Sequence, residues 1–411
     1  MSVLPHLRRF AGLALLAASS TWSASAQDDQ PIKHVFVIAM ENHNWTQPAT
    51  VAGGINQIYQ NPNAPFINSL VNGTAKAYIN GQVVNISRHV SYATAYHNVL
   101  ATPSGNNPSI HPSEPNYIWA EAGTNFGILN DDDPFVDTPP NSQNTTQHLS
   151  GLLQEAGISW KSYQEDIDLS TAPGGALTNL PLPPSQWTSP ITSHSGLFDA
   201  NSNLNESNAT LQYNYAVKHN PMAFFDDTNG GNNTTTTNRA RFHYAPLQQL
   251  AFDLANNSVA AYNWITPDQY NDQHSSLSAG IAGVTGDEGN IKQGDNAVAR
   301  LVPLIMASHA YQEGGVIVIW WDESEADGET GDIKDDFNHT LGEIVISPLA
   351  HANEGGLPYA SSINYSHSSD LRTWQQVFHV RAKGSSPYLG DAANVTDLSD
   401  LFAPGVIPSR P

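Results

Sequence analysis

Apolar residues gather along this chain into short unbroken runs, separated by segments whose apolar positions recur every three or four residues. The run Ile32-Lys-His-Val-Phe-Val-Ile-Ala-Met40 is continuously apolar after a polar start, the pattern of a strand covered on both faces. Ile158-Ser-Trp-Lys-Ser-Tyr163, Val259-Ala-Ala-Tyr-Asn-Trp-Ile265, Val316-Ile-Val-Ile-Trp-Trp321 and Leu341–Ser347 predict further strands. Between them, residues 147–158 read as an amphipathic helix stopped at Gly157, and residues 246–255 as another. Asn296–Tyr311 has helical spacing through Val298, Leu301, Val302, Ile305 and Met306, and Ser369–His379 predicts a closing helix. Strands alternating with helices predict an α/β fold, a mainly parallel central sheet with helices on both faces. Two polar stretches, 99–146 and 169–240, are rich in Asn, Thr, Pro and Gly and read as long loop insertions. No repeat or linker divides the chain, which predicts a single domain over 27–411.

The first 26 residues have a different character. Arg8 and Arg9 precede the short apolar run Phe10–Ala18, and small residues end in Ala24-Ser25-Ala26. That is the layout of a cleaved signal peptide, and the apolar run is too short to span a bilayer. The expectation is export to a periplasmic or extracellular space, with no stable membrane insertion.

Composition narrows the function. With 16 Lys and Arg against 38 Asp and Glu the formal net charge is -22, opposite to what a nucleic-acid surface needs. Cysteine is absent, which excludes disulfide frameworks, thiolate nucleophiles and Cys-ligated zinc.

Ligands of open α/β sheets bind at the carboxyl ends of strands, and here those ends are chemically loaded. The first strand delivers Glu41-Asn42-His43, the third Pro267 to His274, and Val316–Trp321 delivers Asp322-Glu323. Hard oxygens and imidazoles converging in this way suit a divalent metal. Asp322-Glu323 also opens an acidic run that does not fit a calcium loop, because the twelfth position from Glu323 is Lys334. In His111-Pro-Ser113-Glu-Pro115-Asn116-Tyr117 a serine stands at a Pro-flanked turn, placed to enter a helix whose N-terminus favours an anion. A metal beside that hydroxyl would make it a nucleophile. Ser104 and Ser109, in the long approach to this motif, remain alternative nucleophiles.

Taken together these blocks resemble the metal-dependent phosphoesterase family of bacterial acid phosphatases and phospholipases C, within the alkaline phosphatase superfamily. The matching text is His34–Asn42, His111–Tyr117, Gly157–Glu165, Lys218-His-Asn-Pro221, Trp264–Pro267 with Asn271–His274, Gly294-Asp-Asn296, Val316–Glu323 and His367–Thr373. These blocks stand in the family's order.

The resemblance implies an alkaline-phosphatase-like core and a hydrolase acting on a small phosphate ester. It makes Ser113 the metal-bound nucleophile and Glu41, Asn42, Asp322 and Glu323 the metal shell. Asn116 would donate to a phosphate oxygen. Asp272, His274 and His367 match positions that hold a second ion or serve the phosphate and leaving group, with His274 and His367 as catalytic candidates. His219 resembles a histidine near the substrate pocket. The Asp-Glu pair stands where dizinc relatives carry Asp-His. An oxygen-rich shell suits calcium or magnesium, while the imidazoles keep zinc open. The leading expectation is an acid phosphatase working through a phosphoserine. The alternatives are a phospholipase C-type phosphodiesterase and a non-catalytic calcium-binding module.

Overall fold

The computed structural model describes residues 30–48, 56–99, 107–135, 140–171, 173, 176–191, 197–198, 215–276, 280–324, 331–335, 337–353 and 355–411. The signal segment, Ser104 and most of the acidic run after Ser324 lie outside the described residues.

Eight strands make the central sheet: β1 (His34–Met40), β2 (Val90–His97), β3 (Trp160–Gln164), β4 (Tyr244–Pro246), β5 (Tyr262–Thr266), β6 (Gly315–Trp321), β7 (Glu343–Ile346) and β8 (Tyr359–Ser366). They lie in the order β4-β3-β5-β1-β6-β7-β2-β8. Every neighbouring pair is parallel except the two that β7 makes, with β6 and with β2. The sheet is therefore mainly parallel, as the alternating pattern predicts. All residues of β5 and β6 are buried, and so is β1 after His34, which is why these strands carry no polar alternation.

The helices are α1 (Pro65–Asn72), α2 (Ser113–Ala122), α3 (Leu149–Ala156), α4 (Asp226–Asn229), α5 (Gln249–Ala255), α6 (Asp287–Met306), α7 (His309–Gln312) and α8 (His367–Val377). Helix α1 packs on α6, while α2, α3 and α8 pack on one another. Three of the expected helices appear as α3, α5 and α8. The fourth, expected over Asn296–Tyr311, is shifted and broken: α6 starts at Asp287, well before Asn296, and ends at Met306, with Tyr311 in the separate α7. The first half of α6, Asp287 to Asp295, is polar and glycine-bearing yet largely buried. There Asp295 accepts hydrogen bonds from the Phe66 and Ile67 amides and so caps α1 from outside (3.1 and 2.8 Å).

The region 99–146 is not a bare loop. It contains the strand Asn107–His111, which pairs with Gly331–Asp335, and it contains α2. The region 169–240 holds a small sheet of Leu169–Thr171, Ala176–Pro181 and Leu197–Phe198, followed by the tight turns Val217–His219 and Pro221–Phe224.

Candidate active site

Parallel strands bring their carboxyl ends to one rim, and the chemistry collects there. Glu41 follows β1, Asp322 and Glu323 follow β6, and the segment from Asp268 to His274 follows β5. Backbone bonds lock these ends together: the Glu41 amide donates to the Asp272 carbonyl (2.8 Å) and the Asp322 amide to the Met40 carbonyl (3.3 Å). Helix α2 then points its first residue, Ser113, into the same place. Pro112 and Pro115 fix the turn into α2, and Gly123 ends it at φ 67, where a Cβ would stand 2.8 Å from the Leu389 carbonyl.

The Ser113 hydroxyl lies 2.9 Å from Glu41 Oε2 and 3.0 Å from Glu323 Oε1. Tyr117, one turn along α2, donates its hydroxyl to Glu41 Oε1 at 2.6 Å. His111 Nδ1 meets Glu323 Oε2 at 2.8 Å. Asn116 donates its amide to the Ile110 carbonyl (2.8 Å) and approaches Glu323 Oε2 at 3.4 Å. His219 stacks on Tyr117, with centroids 5.0 Å apart. Its Nε2 stands 3.1 Å from Glu41 Oε1 without the alignment of a hydrogen bond, and its Nδ1 is 3.6 Å from Asp272 Oδ2.

Burial governs the protonation of this group. It pushes Asp322 well above the usual carboxylate range, with the charges of Glu41 and Glu323 adding to the effect. Asp272 and Glu41 are raised by the same desolvation. Burial lifts Glu323 to about 7, although the His111 contact opposes it. His219 is held well below the usual histidine range by burial, then by the charges of Lys218 and His274. Lys218 itself pairs with Asp131 at 2.6 Å.

Among solved structures, a protein of the alkaline phosphatase superfamily from Vibrio parahaemolyticus is similar at 12% identity and a TM-score of 0.42, covering 91% of this chain and 73% of that one. A "Probable acid phosphatase" of Kluyveromyces lactis is 25% identical over 296 residues, 71% of this chain and 55% of that protein. An acid phosphatase of Aspergillus fumigatus is 30% identical over 167 residues, 40% of this chain and 28% of its own length. The chain thus spans about half or less of the length of these two relatives. The phosphoesterase family model matches residues 105–381. The chain belongs to the phosphoesterase family.

In this member of the phosphoesterase family the residues singled out from sequence fall into two groups. Glu41, Ser113, Asn116, His219, Asp272, Asp322 and Glu323 come together as described, all buried. Asn42 is half-buried beside Glu41, and His274 is half-buried beyond Asp272, its amide bonded to the Asp272 carboxylate at 2.8 Å. His367 sits beneath the cluster with both ring nitrogens committed. Nδ1 accepts from the Trp320 indole N–H at 2.9 Å, and Nε2 donates to the Asp322 carbonyl. Burial holds His367 neutral, with a pKa of about 3. It steers the backbone of Asp322. Ser109 lies in the strand Asn107–His111, opposite Ile333.

Sequence reasoning left His111 and Tyr117 without roles, although both lie inside the quoted nucleophile motif. The missing signal was register: Tyr117 stands four residues after Ser113, one helical turn away on the same face.

The donor set fits a divalent cation. Neither oxygen of Asp322 makes a well-aligned hydrogen bond among the described residues, although the Ser113 hydroxyl and the Glu323 amide lie close enough to favour its charged form, and Asp272 Oδ2 and His219 Nε2 lack a partner as well. Glu41, His219 and Asp272 each offer a ligand atom, all within 4.8 Å of one another. Buried polar atoms without partners are costly, and a cation compensates several at once.

Proposed function

We propose that this chain is an exported, metal-dependent phosphatase of the acid phosphatase type, hydrolysing phosphate monoesters through a phosphoserine on Ser113. The observation that carries this reading is the Ser113 hydroxyl, held at the start of α2 between the Glu41 and Glu323 carboxylates beside the buried carboxylate of Asp322.

Glu41, Asn42, Ser113, Asp322 and Glu323 would hold the cation, with Asp272, His219 and His274 available to a second one. Such an ion would supply Lewis-acid polarisation of the phosphate and a lowered hydroxyl pKa. The chain's own residues do the rest. Ser113 Oγ attacks phosphorus, its proton passing to one of the two carboxylates within reach, which returns it to Oγ when water displaces the serine. The ester bond to the leaving oxygen breaks in the same displacement. One N–H of the Asn116 amide anchors the turn through Ile110; the second, near Glu323, is placed to turn toward a phosphate oxygen. His274, the less buried imidazole of the group, protonates the departing oxygen. It then takes a proton from the water that cleaves the phosphoserine. His219, kept neutral by its surroundings, positions Glu41 and Asp272.

The test is paired hydrolysis of a chromogenic phosphate monoester and its diester analogue, with and without prior chelation. Monoester turnover that chelation abolishes and divalent metal restores supports the reading. Preference for the diester would replace it with a phosphodiesterase. No turnover of either, with metal restored, would leave the non-catalytic reading.

A further inference from the structure

The phosphatase chemistry above leaves one charged side chain at the site without a task. Lys218 sits in the tight turn Val217–His219, directly before the histidine that stacks on Tyr117 and reaches Glu41. Its side chain is only 18% exposed, an unusual position for a lysine. Asp131 fixes where the ammonium lies: Oδ2 takes Lys218 Nζ at 2.6 Å, and Oδ1 takes the Glu114 amide at 3.1 Å. The two contacts are made by one carboxylate, so Asp131 bridges the ammonium to the amide that follows Ser113. The ammonium's charge acts on Glu41, Asp272 and Glu323, the acids that surround the nucleophile. Lys218 is therefore a half-buried cation linked through Asp131 to the start of α2.

We propose that Lys218 is the residue that selects dianionic phosphate monoesters over monoanionic diesters, binding the oxygen that carries the second charge. The assignment rests on the phosphatase reading and gives its substrate class a cause. A monoester at neutral pH carries nearly two negative charges and a diester one, because the second phosphate pKa is about 6. Asn116 and the helix start serve both esters alike. A fixed ammonium beside them adds an interaction that only the dianion uses in full.

A purely structural Lys218, pinning residues near Asp131 to α2, would leave that discrimination untouched, and kinetics separate the two roles. The metal-loaded protein would be assayed at pH 7 with a nitrophenyl monoester and its bis-nitrophenyl diester. Lys218→Met should lower kcat/KM for the monoester about 10- to 100-fold, the size of a lost charged hydrogen bond, with a far smaller change for the diester. Lys218→Arg should restore most of the ratio. Asp131→Asn breaks the same ion pair while keeping the cation and an amide oxygen to accept from it, and should keep clearly more of the monoester-to-diester ratio than Lys218→Met does. Equal losses on both substrates in Lys218→Met, or a ratio that collapses equally in Asp131→Asn, would overturn the assignment and leave the phosphatase standing. A wild type that turns over neither ester would overturn the phosphatase reading and this assignment with it.

Discussion

Ser113 has one proton and two carboxylates to offer it to, at 2.9 and 3.0 Å, and that geometry sets the sharpest expectation at the scale of single residues. Ser113→Ala should lower kcat at least about 10³-fold while the thermal transition stays near that of the wild type. A variant that keeps its activity would move the nucleophile elsewhere. Glu41→Gln should lose bound metal by elemental analysis, because the neutral amide removes a ligand charge that Tyr117 and Ser113 orient. These residues were legible because each follows an unbroken apolar run or a proline turn, where an acid or hydroxyl stands out. His367 was legible as important but not as a supporting group. Its partners, the Trp320 indole and the Asp322 carbonyl, come from a strand 47 and 45 residues earlier, and no local pattern reports them.

Elements hold the site through contacts that sequence periodicity does not show. The polar first half of α6 has no apolar stripe, because its partners are the loop after β5 and the end of β1. At Gly294 a Cβ would stand 2.1 Å from Gln273 Cγ and 2.9 Å from Met40 Cε, so the helix approaches the site through a missing side chain. Gly294→Ala should cost about 1–3 kcal/mol in denaturant unfolding, as overpacking does. Strands β2 and β8 went unread for a related reason: Val90–His97 and Tyr359–Ser366 mix Ser, Ala and Tyr, and a period of two is hard to see among small and amphipathic residues.

Helix α2 is tied down at its far end by His148, whose Nδ1 meets Glu121 of α2 at 3.0 Å and whose Nε2 meets Asp227 of α4 at 2.8 Å. Burial opposes the charge on His148, yet the two carboxylates win and raise its pKa above the ordinary value. Its stabilising effect is therefore complete below the unfolded pKa of about 6.5 and is lost as pH rises through the folded one. His148→Gln should cost about 3 kcal/mol in unfolding experiments at pH 5 and less at pH 9. An equal cost at both would show that His148 does not change its charge between them.

At the scale of the molecule, the mainly parallel sheet does two things at once. It buries a long apolar core in β1, β5 and β6, which made the fold class readable, and it gathers acids from distant parts of the chain at one rim. That concentration of buried carboxylates needs a counter-charge. Removing divalent metal with a chelator should lower the melting temperature. A site held at 100 times its Kd contributes about 2.7 kcal/mol to stability. A melting temperature indifferent to chelation would mean that protons, not a cation, neutralise the cluster.

The opposite rim is where those strands begin. Helix α7 ends just before β6 starts, and Glu313 between them is 59% exposed. The chain has no cysteine of its own, so Glu313→Cys would introduce its sole thiol. Coupled through that sulfur to an electrode or bead, every molecule would sit with the rim that carries the candidate site turned toward the solution. Such a surface should retain nearly all the turnover of the free protein, whereas random attachment through lysines would occlude part of it.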